Sequence, residues 1–213
     1  MKYLKTLGLA AVAAMALIAF VGAGSASATV LCDTTSTPCA EKWKVGTEPR
    51  FTVKPGTAGI WTDTSGTVVA KCPEGEIRGE ITNAGSATET VKTSVEPSDF
   101  TWPGVEGCIK TITVAGGTLE IHAISGTDNG TVTASGFKIT IYFEAFGISC
   151  IYGFTEGQDL GTLTASGSGS AILDINTVFF KKEGGFLCPG DLKWAEEFTQ
   201  EQPSGTGLYV EPS

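Results

Sequence analysis

Hydrophobic and polar positions alternate most clearly over residues 137–145. The apolar members of this run are Phe137, Ile139, Ile141 and Phe143. A period of two is typical of a half-buried β-strand, so we expect these four side chains to lie in the core. Gly147 interrupts the pattern, and Cys150 leads a second short apolar piece. We therefore expect residues 136–153 to be the stretch around which the fold is organised.

Similar short runs, separated by Gly, Pro, Asn and Ser, recur along the chain. The predicted strands are 50–54, 59–62, 67–72, 76–82, 88–95, 109–114, 118–124, 160–164, 171–180 and 208–210. Residues 193–199 fit either a helix or a strand, and the strand is favoured because the rest of the chain is strand. About ten to twelve short strands at regular spacing predict an all-β fold with one domain, an antiparallel β-sandwich or a barrel-like sheet.

One turn is marked by Asp128-Asn129-Gly130. Asn-Gly accepts the positive φ values of a tight hairpin, so the strand at 118–124 should turn here. Its partner is expected at 131–133 or at 136–145. Oxygen atoms of Asp128 and Asn129 would also suit calcium, but the loop lacks the repeated acids of a dedicated calcium site. The turn alone explains the motif, and no metal site is predicted.

The first 28 residues have the pattern of a secretory signal peptide. Lys2 and Lys5 precede a long uncharged apolar stretch, and Ala26-Ser27-Ala28 supplies the small residues that signal peptidase reads. Cleavage is expected after Ala28, which leaves residues 29–213 as one exported β domain. An uncleaved membrane anchor is the alternative interpretation; after cleavage no stable membrane span is expected.

The charge of the chain limits its partners. The leader contains two lysines and no acid, so its removal changes the formal net charge from −9 to −11. Such an acidic protein is a poor ligand for nucleic acid or for an anionic membrane surface. No glycine-rich loop joins a strand to a helix, so no nucleotide or other cofactor is predicted.

All six cysteines follow the predicted cleavage site, and an even number in an exported chain predicts disulfides. Six cysteines allow 15 pairings, and the sequence alone does not choose between them. Our expectation is that neighbours pair in order. The expected pairs are Cys32–Cys39, Cys72–Cys108 and Cys150–Cys188. Zinc is a weak alternative because the chain has no C-x-x-C pair and one histidine.

Several stretches together resemble a group of uncharacterised secreted proteins from high-GC Gram-positive bacteria. They are Cys32…Cys39, Cys72 with the nearby 75–83, Gly107-Cys108, 117–122, Cys150-Ile151-Tyr152-Gly153 with 159–163, and Leu208-Tyr209-Val210. The similarity spans the whole of residues 29–213. It implies an exported, disulfide-bonded all-β domain with a strand at 193–199, and it implies no activity.

Three acids on predicted strands are the candidates for chemistry. They are Glu120, Glu144 and Asp174. Glycoside hydrolases use two carboxylates that flank the scissile bond, and aromatic rings stack on sugars. The aromatic candidates are Tyr142, Trp61, Trp102 and Trp194. Outward-facing acids also keep an acidic exported protein soluble, and this simpler explanation is favoured.

His122 is the only histidine, so a Ser–His–Asp triad would have to use it, with Ser125 or a more distant serine. The G-x-S-x-G nucleophile motif is missing from the sequence. We therefore assign no catalytic residue. The favoured function is a secreted or cell-surface binding or structural module without enzymatic activity, whose partner is a cell-envelope or extracellular ligand. The alternative is an extracellular carbohydrate-active hydrolase that uses paired carboxylates.

Overall fold

A computed structural model describes residues 28–35, 39–102, 112–143, 147–167 and 171–212. In these ranges the chain forms strands and one short 3₁₀ turn, Pro97–Asp99. The strands are β1 Thr29–Cys32, β2 Arg50–Val53, β3 Gly59–Asp63, β4 Val68–Cys72, β5 Glu76–Arg78, β6 Glu80–Ser86, β7 Glu89–Val95, β8 Phe100–Thr101, β9 Ile112–Val114, β10 Gly117–Ala123, β11 Gly130–Ser135, β12 Lys138–Phe143, β13 Ile148–Gly153, β14 Gln158–Thr164, β15 Ile172–Glu183, β16 Leu192–Gln202 and β17 Tyr209–Pro212.

The two longest strands, β15 and β16, form the spine of the sheet. They pair antiparallel from Ile172↔Thr199 to Phe179↔Leu192. Each then has two different partners on its outer side. The first half of β15 pairs with β14 and its end with β13, whereas β16 pairs first with β3 and then with β2. The sheet therefore forks on both sides of the spine.

The forks produce four arms of one antiparallel sheet. From β14 the order continues through β11, β10, β7 and β6, and from β2 through β5 to β8. The other arms are β13–β12–β9 and β3–β4. The sheet curls into a half-barrel around one core, while β1 and β17 form a separate two-stranded sheet. The predicted all-β, antiparallel, single-domain class is confirmed.

The organising role predicted for residues 136–153 is wrong, because these residues form the hairpin β12–β13 on a side arm. Phe137, Ile139 and Ile141 are buried as expected, and Phe143 is partly buried. The predicted strand at 193–199 is confirmed as part of β16. The turn at 128–130 joins β10 to β11, so the hairpin partner of β10 is the strand at 130–135.

The single strand predicted at 76–82 is interrupted at Gly79. The residues before Gly79 form β5, which pairs with β2, and those after it begin β6, which pairs with β7. A side chain at Gly79 would come within 2.8 Å of the Ser94 carbonyl oxygen. The chain therefore needs glycine where it passes from one arm to the other.

Two of the predicted disulfides are present, Cys32–Cys39 and Cys150–Cys188. Cys72 is also disulfide-bonded, and its expected partner Cys108 lies outside the described residues. The bonds indicate an oxidising environment. Within the part of the chain that the structure describes, no helix has the length and apolar character needed to cross a membrane. Residues 1–27 of the predicted leader lie outside the described residues.

The two disulfides should differ in their contribution to stability. Cys150–Cys188 closes 38 residues and Cys32–Cys39 closes 7. Loop-closure entropy predicts that replacing both cysteines by alanine lowers the free energy of unfolding by about 4 kcal/mol for the longer loop and about 2 kcal/mol for the shorter one. Urea unfolding of the two double variants measures both values. Equal losses would contradict the entropic explanation.

Candidate functional site

The predicted surface pair Glu120 and His122 has partners within the sheet. Lys92 Nζ lies 2.8 Å from Glu120 Oε1, and His122 Nε2 lies 3.1 Å from Thr133 Oγ1. The hydrogen bond from Lys92 holds the pKa of Glu120 below its usual value, and burial opposes it only in part. A general acid needs a raised pKa, so Glu120 has the wrong environment for that role.

The structure does not bring Glu120 and Asp174 together. Glu120 is on β10 and Asp174 is on β15, with β11 and β14 between them. Three strand spacings place them about 14 Å apart along the sheet. Glycosidase pairs are separated by roughly 5–10 Å. Glu144 lies outside the described residues.

The tryptophan candidates for sugar stacking are buried or half-buried. Trp61 and Trp194 are 0 % and 1 % exposed, and their indole rings stack with centroids 5.2 Å apart. Trp102 packs edge-on against both of them and is half-buried. Tyr142 is exposed but lies on β12, in another arm. Trp61 and Trp194 are core residues and present no ring face to a sugar.

The residues Asp128 and Asn129 stabilise the fold, as the turn interpretation requires. The Asn129 side-chain oxygen accepts a hydrogen bond from Ala165 N at 2.8 Å, and the Asp128 carbonyl accepts one from Val210 N at 2.8 Å. Among the described residues, no group of three or more His, Cys, Asp or Glu side chains is placed to hold a metal ion.

An open groove lies where the chain leaves β1 and where it enters β17. We call it the N-terminal groove, and it is lined by Asp33, residues 39–44, Thr47, Pro203 and Thr206. Its volume is about 710 Å³, which is in the range of small-molecule sites. Its walls come from parts of the chain more than 150 residues apart, because β1 and β17 are paired.

The first wall of the N-terminal groove is fixed by the Cys32–Cys39 disulfide and by backbone hydrogen bonds. Asp33 N donates to the Glu41 carbonyl at 3.1 Å, and Trp43 N donates to the Leu31 carbonyl at 2.9 Å. The same segment then turns at Lys44, whose carbonyl accepts a bond from Thr47 N at 3.0 Å.

The second wall of the groove is held from inside the protein by Gln200. This side chain is 2 % exposed, and its Nε2 donates to the carbonyls of Pro203 at 3.3 Å and Thr206 at 3.2 Å. Gly207 lies against the Asp33 carbonyl, where any side chain would overlap it. The two walls therefore pack directly on each other and the groove is preformed.

Two buried polar atoms of groove-lining residues have no hydrogen-bond partner. Asp33 Oδ1 is an acceptor and Trp43 Nε1 is a donor. Such atoms are uncommon in folded proteins and call for a physical explanation. Glu41 hydrogen bonds to Asp33, and this bond together with the charge of Asp33 raises the pKa of Glu41. Asp33 Oδ1 and Trp43 Nε1 have almost no solvent-accessible area, so they lie beneath the surface of the groove.

A second feature that the sequence did not reveal is Glu196. Its side chain is 3 % exposed on the inner face of β16, and Trp194 Nε1 donates to its Oε2 at 2.6 Å. The carboxyl lies over Gly59, and a β-carbon there would overlap it. Burial raises the pKa of Glu196 to about 8, although Trp194 and, more weakly, Trp102 oppose this. The Trp102 N–H nonetheless lacks hydrogen-bond geometry.

Glu196 is a structural acid. The neighbouring interior cavity, lined partly by Trp61, Trp102 and Trp194, measures about 10 Å³, room for one water molecule. Another interior cavity, lined mainly by apolar residues, measures about 40 Å³. Neither interior cavity is large enough for an organic substrate. The N-terminal groove is far larger than either interior cavity, and we take it as the candidate functional site.

No protein-family model, curated protein or solved structure matches the chain. The resemblance to secreted proteins of Gram-positive bacteria stays a prediction.

Burial of Glu196 predicts a protein that loses stability as pH rises. The carboxyl is protonated in the folded state up to about pH 8 but ionises near 4.5 when unfolded. The folded state therefore holds one more proton across this window, and the free energy of unfolding should fall by about 1.4 kcal/mol per pH unit. Urea unfolding at about pH 5, 6, 7 and 8 measures this slope.

The matched variants are Glu196→Gln and Glu197→Gln. Glutamine at 196 has no titrating proton, so this variant should lose the slope. Glu197 is partly exposed and pairs with Lys54 at 2.6 Å, so its replacement should leave the slope in place. The same slope in the wild type and Glu196→Gln would show that Glu196 does not titrate in this way.

Proposed function

We propose that this chain is an exported, non-enzymatic module that binds an extracellular ligand in the N-terminal groove. The observation that carries the proposal is the preformed groove of about 710 Å³, whose walls are fixed by the Cys32–Cys39 disulfide and by the buried Gln200 side chain.

Export is supported by the signal-peptide pattern of residues 1–28 and by the disulfides. The Cys32–Cys39 disulfide lies in the wall of the groove, so oxidation after export would also complete the site. Rigid loops on a β scaffold are a common arrangement for recognition.

A role in binding without catalysis is supported by the positions of the acids. Glu120 is paired with Lys92, and Asp174 is about 14 Å away along the sheet. In the groove, Asp33 and Glu41 share one hydrogen bond, and no histidine lines the groove.

The proposal predicts saturable binding of the protein to isolated cell envelopes of the producing bacterium, without release of soluble sugar. Ala40→Trp places an indole in the groove and should weaken binding by about tenfold or more, since it fills the ligand's space. Ala87→Trp, on the exposed turn between β6 and β7, is the matched control and should bind normally.

Fluorescence-detected binding isotherms and a reducing-sugar assay measure the two quantities. Release of reducing sugar by the wild type would favour the hydrolase instead. Envelope binding that Ala40→Trp does not weaken would place the ligand elsewhere, and absence of saturable binding would contradict a binding module.

A further inference from the structure

The Cys32–Cys39 disulfide differs from the other described cysteines in its access to solvent. Cys39 is partly exposed, whereas Cys72 and Cys150 are 0 % exposed and Cys188 is 5 % exposed. A thiolate reduces a disulfide by direct attack on one of its sulfur atoms, so the rate depends on access to that atom. An external thiolate can therefore approach Cys39 in the folded protein, while the Cys150–Cys188 bond must first be uncovered by local opening.

The same disulfide lies in the first wall of the N-terminal groove. Cys39 lines the groove and is followed in the wall by Ala40 and Glu41. The disulfide ties this part of the wall to Cys32, which is 0 % exposed at the end of β1. Reduction would release the wall at Cys39 and leave Cys32 in its strand.

Backbone hydrogen bonds limit how far the released wall can move. Trp43 N donates to the Leu31 carbonyl at 2.9 Å, and Asp33 N donates to the Glu41 carbonyl at 3.1 Å. Leu31 also pairs with Val210 of β17, and Trp43 is 5 % exposed. Both ends of the wall therefore stay attached to the fold without the disulfide. The freedom gained on reduction is confined to the residues between Asp33 and Glu41.

We propose that the Cys32–Cys39 disulfide is a redox switch of the N-terminal groove, opened by an extracellular dithiol. In the oxidised form the wall is held in the shape that binds the ligand. In the reduced form the wall must be ordered during binding, and the entropy lost in ordering it lowers the affinity. This regulation rests on the proposed binding function of the groove.

The chemical step is thiol–disulfide exchange. One thiolate of the dithiol attacks Cys39 Sγ and forms a mixed disulfide, and the electron pair of the broken bond leaves on Cys32 Sγ, which takes up a proton. The second thiolate then attacks the dithiol's sulfur in the mixed disulfide and releases Cys39 as a thiol. The dithiol is oxidised to a disulfide and the protein gains two thiols. Cys32 in its reduced form is a small buried thiol, which a protein core accepts.

Reduction of the folded wild-type protein by dithiothreitol tests the selectivity, with free thiols trapped by N-ethylmaleimide and located by peptide mass spectrometry. Cys32 and Cys39 should be labelled about tenfold or more faster than Cys150 and Cys188, because the buried bond is protected by the fold. Low concentrations of urea should accelerate labelling of the buried pair and leave that of Cys32 and Cys39 nearly unchanged. Equal rates for the two pairs would overturn the switch.

Binding to cell envelopes tests the effect on the groove. After selective reduction and removal of dithiothreitol under argon, the protein should bind about tenfold more weakly than its oxidised form, and reoxidation should restore the affinity. Far-UV circular dichroism should be the same in both forms, which shows that the fold is intact. Unchanged affinity after selective reduction would contradict the switch and leave the binding function in place.

Two double variants are matched controls. Cys32→Ala with Cys39→Ala should bind as weakly as the reduced wild type, and dithiothreitol should not change its affinity. Cys150→Ala with Cys188→Ala keeps the disulfide of the groove and should respond to dithiothreitol as the wild type does. Circular dichroism must show that each variant is folded, and the wild-type reduction gives the answer if one is not.

The same measurements distinguish failure of the switch from failure of the binding function. Wild-type affinity in the folded Cys32→Ala, Cys39→Ala variant would refute the switch alone. Absence of saturable envelope binding by the oxidised wild type would refute the binding function and the switch together.

Discussion

The stacked indoles of Trp61 and Trp194 lie where β16 changes partner from β3 to β2, and the curled sheet depends on the packing at this fork. Phe179 stacks on Trp61 from β15 with ring centroids 5.3 Å apart, so the spine and the β3 arm are joined by three aromatic rings. Glu196 fills the remaining space against Gly59 and bonds to Trp194. A charged carboxylate here would be surrounded by aromatic rings, which is why the neutral acid is favoured.

The same strand links this fork to the candidate site. The inward-facing positions of β16 are Leu192, Trp194, Glu196, Phe198 and Gln200. The first four build the core, and Gln200 holds the loop that forms the second wall of the N-terminal groove. Because one strand carries both, the groove keeps its shape without a ligand, which would reduce the entropy lost in the proposed binding.

Much of the fold follows from local patterns in the sequence. The alternation at 137–143 predicts β12 correctly, and Asn129-Gly130 predicts the hairpin of β10 and β11. Pairing of neighbouring cysteines predicts both disulfides in the described residues. These features depend on residues close in the chain, where period and turn chemistry are informative.

Other features depend on contacts that no local pattern contains. Glu196 and Gln200 occupy inward positions of β16, yet as polar residues they are expected outside. Apolar residues at every second position, Leu192, Trp194 and Phe198, place residue 196 on the same face of the strand. This alternation was the sequence signal that Glu196 is buried. Trp61 and Trp194 are candidates for sugar stacking on sequence grounds because a single sequence does not say which face of a strand is inside. The groove joins residues 33–47 to 203–206, a pairing set by β1 and β17.

The most direct test of binding in the N-terminal groove follows the backbone amide signals of the protein by NMR during titration with solubilised cell envelope of the producing organism. Saturable shifts are expected at the groove residues Ala40, Glu41 and Thr206, while the signals of the buried Trp61 and Trp194 stay in place. Shifts confined to the outer face of the sheet, with the groove signals unmoved, would contradict binding in the N-terminal groove.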